Sequence, residues 1–273
     1  CSWSNIPDED FALADDNHWT IGQFVWTGFD YLGEPSPYDT NAWPNHSSMF
    51  GIIDLANIPK DRYYLYRSVW NKNAETLHIL PHWTWPGREG KVTPVFVYTN
   101  HPTAELFING KSYGKQSKNN SSLKNRYRLM WMDAVYEPGE IKVVAYNKDG
   151  KAVAEKIVRT AGKPHHIELV SNRNELTADG KYLAYITVKV VDKDGNLCPA
   201  DSRQINFSVK GTGKYRAAAN GDPTNLEQFH LPKMHAFNGM LTAIVQSGET
   251  AGEIILTAKA SGVKAGNIRI QTK

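Results

Sequence analysis

The chain has 273 residues, 41% of them hydrophobic and 22% charged, with a formal net charge of +3. That is enough polypeptide for two or three domains with a sizeable core, and too little charge to argue for a nucleic-acid or anionic-membrane partner. The two cysteines, Cys1 and Cys198, exclude a disulfide scaffold and lack the spacing of a metal or redox site.

Residues 1–22 read as a loop and then a short helix from Pro7 to Asp15. Pro7 suits a first helical turn, and Asp8, Glu9 and Asp10 complement the helix N-terminus. Asn17-His18 ends it before an expected strand at 21–26, whose apolar residues Phe24, Val25 and Trp26 lie between Gly22 and Gly28. A loop follows with two carboxylates (Asp30, Glu34), three aromatics (Phe29, Tyr31, Tyr38) and two prolines. A buried strand ending in Trp, followed at once by acids and aromatics, is how a (β/α)8 barrel delivers side chains to its active face. Aromatic faces against sugar C–H groups, and carboxylates against hydroxyls, are the chemistry of a carbohydrate pocket. The irregular loop at 33–48 also carries Trp43 and His46, and long loops in compact domains are commonly functional.

Pro59 opens a second helix, on which Tyr63, Leu65, Tyr66, Val69 and Trp70 give an apolar face at helical spacing, expected to pack against a barrel wall. From about Glu75 the texture changes to short alternating strands. They run through 77–80, 92–98, 105–108, 127–135, 140–147 and 152–158, with turns at Asn109-Gly110, Glu137-Pro138-Gly139 and Asp149-Gly150. Within them Trp83 and Trp85 alternate by two, so one faces inward and the other out. Six or seven such strands predict an immunoglobulin-like sandwich. Ala161-Gly162-Lys163-Pro164 reads as a linker, after which strands restart at 165–170, 183–191, 204–210, 240–246 and 252–259, predicting a second sandwich.

Lys115, Lys118, Lys124, Arg126 and Arg128 surround Asn119-Asn120-Ser121-Ser122 and predict a solvated hairpin end. Asp192-Lys193-Asp194-Gly195 resembles a calcium loop superficially, but its twelfth position is Arg203, so a hairpin turn is expected. The nine His residues show no trio at metal-ligand spacing. No run of eighteen apolar residues is present.

"FVWTGFDYLGEPSPY" at 24–38 and "FGIIDLANIPKDRYYLYRSVW" at 50–70 closely resemble the last barrel strand and helix of glycoside hydrolase family 2, in its bacterial β-galactosidase branch. "LTADGKYLAYITVKVVDKDGN" resembles the invasin/intimin-type bacterial immunoglobulin-like domain, and "NGDPTN" with "AFNGMLTAIVQS" resembles the version ending those enzymes. The resemblance implies a mostly β chain: residues 1–74 as the end of a TIM-barrel catalytic domain (strand eight and helix eight), 75–162 and 163–273 as two immunoglobulin-like β-sandwiches.

It further implies a hydrolase of carbohydrate metabolism, a retaining exo-glycosidase and, from the branch it resembles, a β-galactosidase, exported to the periplasm or cell surface. Its partners are a β-galactoside-containing glycan and the remainder of the same barrel. The family's two catalytic glutamates match no residue here, so the chain alone is expected to be inactive, with no catalytic residue and no cofactor of its own. Family members often bind Mg2+ or Na+, but no metal ligand maps onto this segment.

The expected substrate-binding residues are Trp26, Asp30, Tyr31, Glu34 and Trp43, with Trp26 matching the family Trp that walls the subsite of the sugar to be cleaved. A retaining pair needs carboxyls about 5–5.5 Å apart, but the resemblance puts that pair on other strands. Asp30 and Glu34 are therefore read as hydroxyl binders, or as partners of Arg62 or Lys60. The alternative reading is a non-catalytic carbohydrate-binding or spacer module.

Overall fold

The computed structural model describes residues 4–35 and 43–273. Tyr38 and Cys1, both named above, lie outside the described residues. The chain forms two compact units, Cys1–Trp26 with Pro59–Thr160 and Thr27–Ile58 with Ala161–Lys273.

In the first unit, α1 (Pro7–Asp16) carries Pro7 and three acids in its opening turn, and α2 (Asp61–Trp70) buries Leu65, Tyr66 and Ser68. The aromatic face of α2 closes on Phe11, whose ring meets Tyr66 and Trp70 edge-on at 5.1 and 6.1 Å and Tyr127 at 5.2 Å. Seven strands follow: β1 (Leu77–Leu80), β2 (Val95–Thr99), β3 (Thr103–Ile108), β4 (Lys111–Ser117), β5 (Leu129–Trp131), β6 (Glu140–Tyr146) and β7 (Ala152–Arg159), with the short helix α3 (Leu123–Tyr127) before β5. They build a β1-β2-β5 sheet and a β4-β3-β6-β7 sheet, the immunoglobulin-like arrangement that the spacing predicts. Alternate residues Ala104, Leu106, Ile108, Ile141, Val143 and Ala145 point into the core with Trp83 and Trp131. Both left-handed residues of the β3–β4 turn, Asn109 (φ 49°) and Gly110 (φ 81°), supply the positive φ pair that a two-residue hairpin requires.

Two expectations fail in this unit, the second in part. Residues 21–26 are not a strand: they form no ladder with any described residue, and Ile21, Phe24 and Trp26 are exposed. An apolar run becomes a strand only where a neighbouring backbone offers N–H and C=O groups in register. The basic stretch before β5 is a solvated hairpin end only in part: Lys115, Lys124 and the Asn119–Ser122 run are exposed, but Lys118, Arg126 and Arg128 are half-buried. Lys118 donates to the Thr99 carbonyl at 2.5 Å. Arg126 grips Asp16 through two bonds of 2.9 and 2.7 Å, the Tyr127 hydroxyl donates to Asp15 at 2.8 Å, and Arg128 forks onto Asp8. The acids of α1 lie over these cations, a pairing between positions more than a hundred residues apart that no local composition reveals.

In the second unit, β8 (His166–Ser171), β10 (Leu183–Val191), β12 (Gly213–Ala219) and β14 (Met240–Ser247) form one sheet, ordered β12-β14-β10-β8. The facing sheet runs β13-β11-β15-β16-β9, from β13 (Lys233–His235), β11 (Gln204–Gly211), β15 (Gly252–Lys259), β16 (Gly266–Thr272) and β9 (Glu175–Leu176). Ile186, Val188, Val190, Leu241, Ala243 and Val245 face Ile205, Ile254, Leu256 and Ile270 across the core. The strand β12 escapes the sequence pattern because its Gly and three Ala give almost no apolar alternation. The Asp192–Gly195 stretch is a turn, as expected: Asp192 is buried and its carboxylate accepts from the Asp194, Asn196 and Gly162 N–H groups at 2.9, 2.8 and 2.8 Å.

Candidate functional site

Two backbone runs of the second unit, 28–33 and 46–53, are zipped together. Ile53 N–H donates to Gly28 O and Asp30 N–H to Ile53 O, both at 2.9 Å, giving a parallel bridge at Phe29 and Ile53. Further along, Ser48 N–H donates to Tyr31 O and Gly33 N–H to His46 O, each at 2.9 Å. Gly51 is required at the crossing, because a Cβ there would sit 2.3 Å from Asp30 N and 2.4 Å from the Phe29 carbonyl carbon. The zipped pair is in turn fixed to the second sandwich. Thr242 Oγ1 donates to Ala56 O at 2.6 Å, His46 N–H donates to Pro223 O at 3.1 Å, and Gly221 approaches Asp54 so closely that a Cβ would clash.

On this frame Asp30 is 8% exposed and its Oδ1 accepts the Gly51 N–H at 2.8 Å. At least one of its lone-pair sites therefore braces the loop. Tyr31 donates its hydroxyl to Glu34 and meets the Phe50 ring edge-on at 5.9 Å. A carboxylate accepting from a phenol is held in one orientation, ready to accept from a second hydroxyl. Trp43 is 70% exposed, and in the first unit Trp26 is 74% exposed. The structure thus brings Tyr31 and Glu34 into direct contact, buries Asp30, and leaves both indoles open.

Sequence reasoning passed over one feature. Leu32 and His46 of the zipped pair line a cleft of about 490 Å³ whose other side is the 225–230 loop of the second sandwich, with Leu226, Gln228, Phe229 and His230. The signal available in the sequence was a long Pro-, Asn- and Asp-containing loop that nevertheless carries Leu226 and Phe229.

Of the sandwich tryptophans, Trp83 is fully buried with its Nε1–H on Glu137 O at 3.0 Å, while Trp85 lies partly open, stacked on His82 at 4.1 Å. Among the described residues no group of three or more His, Cys, Asp or Glu converges as metal ligands would, and no helix is long and apolar enough to cross a membrane.

Comparison with known proteins gives a consistent set of relatives. Residues 167–269 match the model of glycoside hydrolase family 2 C-terminal domain 5, and residues 90–154 match a domain of unknown function. The chain is 43% identical over 272 residues to beta-galactosidase BoGH2A of Bacteroides ovatus, covering 99% of this chain and 31% of that protein. It is 24% identical over 274 residues to a beta-glucuronidase of Formosa agariphila, covering 98% of this chain and 27% of that one. A solved beta-glycosidase from Bacteroides vulgatus superposes with a TM-score of 0.87 at 35% identity, covering 97% of this chain and 32% of its own. The chain spans about a third of the length of the curated relatives it matches.

Proposed function

We propose, for a chain that belongs to glycoside hydrolase family 2 and aligns with about a third of the length of its relatives, that it serves a retaining exo-glycosidase of terminal β-galactosides. On this reading residues 1–74 are the last β/α unit of a barrel. Residues 75–162 and 163–273 are accessory sandwiches, and the stretch from Trp26 to Trp43 walls one side of the sugar pocket. The two glutamates come from elsewhere in the same polypeptide: one protonates the leaving oxygen, and the other forms the glycosyl-enzyme that water hydrolyses. The full enzyme works outside the cytoplasm, a reading that rests on the bacterial β-galactosidase resemblance.

The observation that carries this reading is the open indole of Trp26, 74% exposed, in a stretch where Phe24, Phe29 and Trp43 are also exposed. Such faces suit pyranose C–H groups. The choice of galactoside rests on similarity, 43% identity over 272 residues to a protein named beta-galactosidase against 24% over 274 residues to one named beta-glucuronidase.

The test is turnover by the complete polypeptide that carries this chain, on aryl β-galactoside, β-glucuronide and β-mannoside. Preferred galactoside hydrolysis, with kcat/KM falling about tenfold or more in Trp26→Ala, supports the reading. Preferred glucuronide hydrolysis overturns the substrate. An unchanged kcat/KM in Trp26→Ala overturns the wall. The isolated 273-residue chain should turn over none of them.

A further inference from the structure

We propose that the cleft between the zipped loops and the 225–230 loop is a binding site for a neutral pyranose ring, so that the second sandwich itself recognises carbohydrate. The inference rests on the carbohydrate reading above but assigns recognition chiefly to the 225–230 loop and His46, with Leu32 the one lining residue taken from the Trp26–Trp43 stretch.

The cleft's volume of about 490 Å³ lies within the range of small-molecule sites, roughly 300–1,000 Å³. Its walls have the two textures that a sugar needs. Leu32, Leu226 and Phe229 present exposed apolar faces, the last an aromatic ring for stacking against C–H groups. Around them stand the Gln228 amide and the His230 imidazole, whose side chains make no hydrogen bond among the described residues, and the His46 ring, which uses Nδ1 on Pro44 O at 2.9 Å and leaves its Nε2 edge. These groups can donate to and accept from hydroxyls.

The loop is also held in advance, which lowers the ordering cost of binding. Asp222 accepts from the Thr224 N–H and hydroxyl at 2.8 and 2.6 Å, and Asn225 accepts the Glu227 N–H at 3.0 Å. Strand β12 anchors its far side: Ala218 N–H donates to Phe229 O at 2.8 Å and the Tyr215 hydroxyl to Leu231 O at 2.7 Å.

Charge selects the ligand. No Lys or Arg lines the cleft, and its one carboxylate, Glu227, is engaged by the His235 N–H at 2.9 Å and ring at 3.0 Å. A uronate would be desolvated there without a permanent cation. A neutral ring brings no charge that needs one.

The test is an amide-resolved NMR titration of the 273-residue chain with lactose, and in parallel with methyl β-glucuronide. Lactose should shift the amides of Leu226–His230, Leu32 and His46, saturating near a millimolar Kd, and glucuronide should bind more weakly. Phe229→Ala should weaken lactose about tenfold, Phe229→Tyr should restore it, and Leu226→Ser should weaken it in the same direction; these side chains are exposed, so the fold survives. Unchanged affinity in Phe229→Ala, absent shifts at these amides, or tighter glucuronide binding overturns the site. If Trp26→Ala alone abolishes lactose binding, the pocket-wall reading stands and this one falls. If the complete polypeptide prefers glucuronide while lactose still depends on Phe229, the galactosidase reading falls and the cleft remains.

Discussion

Arg128 forks onto Asp8, a carboxylate with no solvent exposure, placing its Nε 3.0 Å from Oδ1 and its Nη2 on the other oxygen. This pair fastens α1 to the start of β5 in the first sandwich. Taking away one partner of a buried pair leaves the other charge without compensation, at about 3–5 kcal/mol, whereas replacing both with apolar groups is far milder. Arg128→Ala should therefore lower the urea midpoint and abolish amide protection across Pro7–Asp16. Asp8→Ala combined with Arg128→Met should recover most of the loss. An additive double variant would show that the two residues act separately.

Asp192 sets the pH dependence of the second sandwich. Burial pushes its pKa up, but hydrogen bonds from the Asn196 amide and from the Gly162, Asn196 and Asp194 N–H groups outweigh burial and hold it at about 2. A folded pKa below the unfolded value near 3.9 gives stability that is complete above pH 4 and is lost as pH falls toward 2, worth on the order of 2 kcal/mol. Urea unfolding at pH 7 and pH 3 should show this decline, and Asp192→Ala should both destabilise at pH 7 and flatten the slope.

Gly51 has no room for a methyl group, since its neighbours at 2.3 and 2.4 Å are backbone atoms that cannot rotate away. Gly51→Ala should cost about 1–3 kcal/mol and open the bridges at Phe29–Ile53 and Leu32–Ser47. Limited proteolysis should then cut within 28–53 faster than in the parent, with the first unit unaffected. Equal cleavage rates would mean that the loop relaxes without unzipping.

Burial raises the Cys198 thiol to about 11, with Asp192 and Asp201 pushing in the same direction. Since the thiolate is the reactive form, iodoacetamide at pH 8 should leave the Cys198 peptide largely unmodified in the folded chain. Modification should appear in urea in step with unfolding. Rapid labelling of the native protein would contradict the closed core around this side chain.

Much of the architecture was legible because β-sandwiches write themselves in period two. Leu183–Val191 alternates so cleanly that its inward face, Ile186, Val188 and Val190, could be read directly, and Asn109-Gly110 names its own turn type. The candidate site was legible as composition, with Trp26, Asp30, Tyr31, Glu34 and Trp43 clustered in one stretch. Its geometry was not: that Asp30 is buried on Gly51 depends on a second loop twenty residues away folding back in register, and the local contact of Tyr31 with Glu34 is a matter of loop conformation that composition does not carry.

The sequence by itself determined the fold class, the two sandwiches and the family, because alternation, turn residues and the 24–38 and 50–70 motifs are local properties of the chain. Only the tertiary structure decided which acids meet which cations. Asp8, Asp15 and Asp16 took up Arg128, Tyr127 and Arg126, a stretch that in isolation reads as a solvated turn. It also decided that Leu32 and His46 share a cleft with Phe229 and His230, and that 21–26 forms no strand ladder with any described residue. Strands and clefts need a second surface, and which distant segment supplies it is fixed by packing rather than by the pattern of either segment alone.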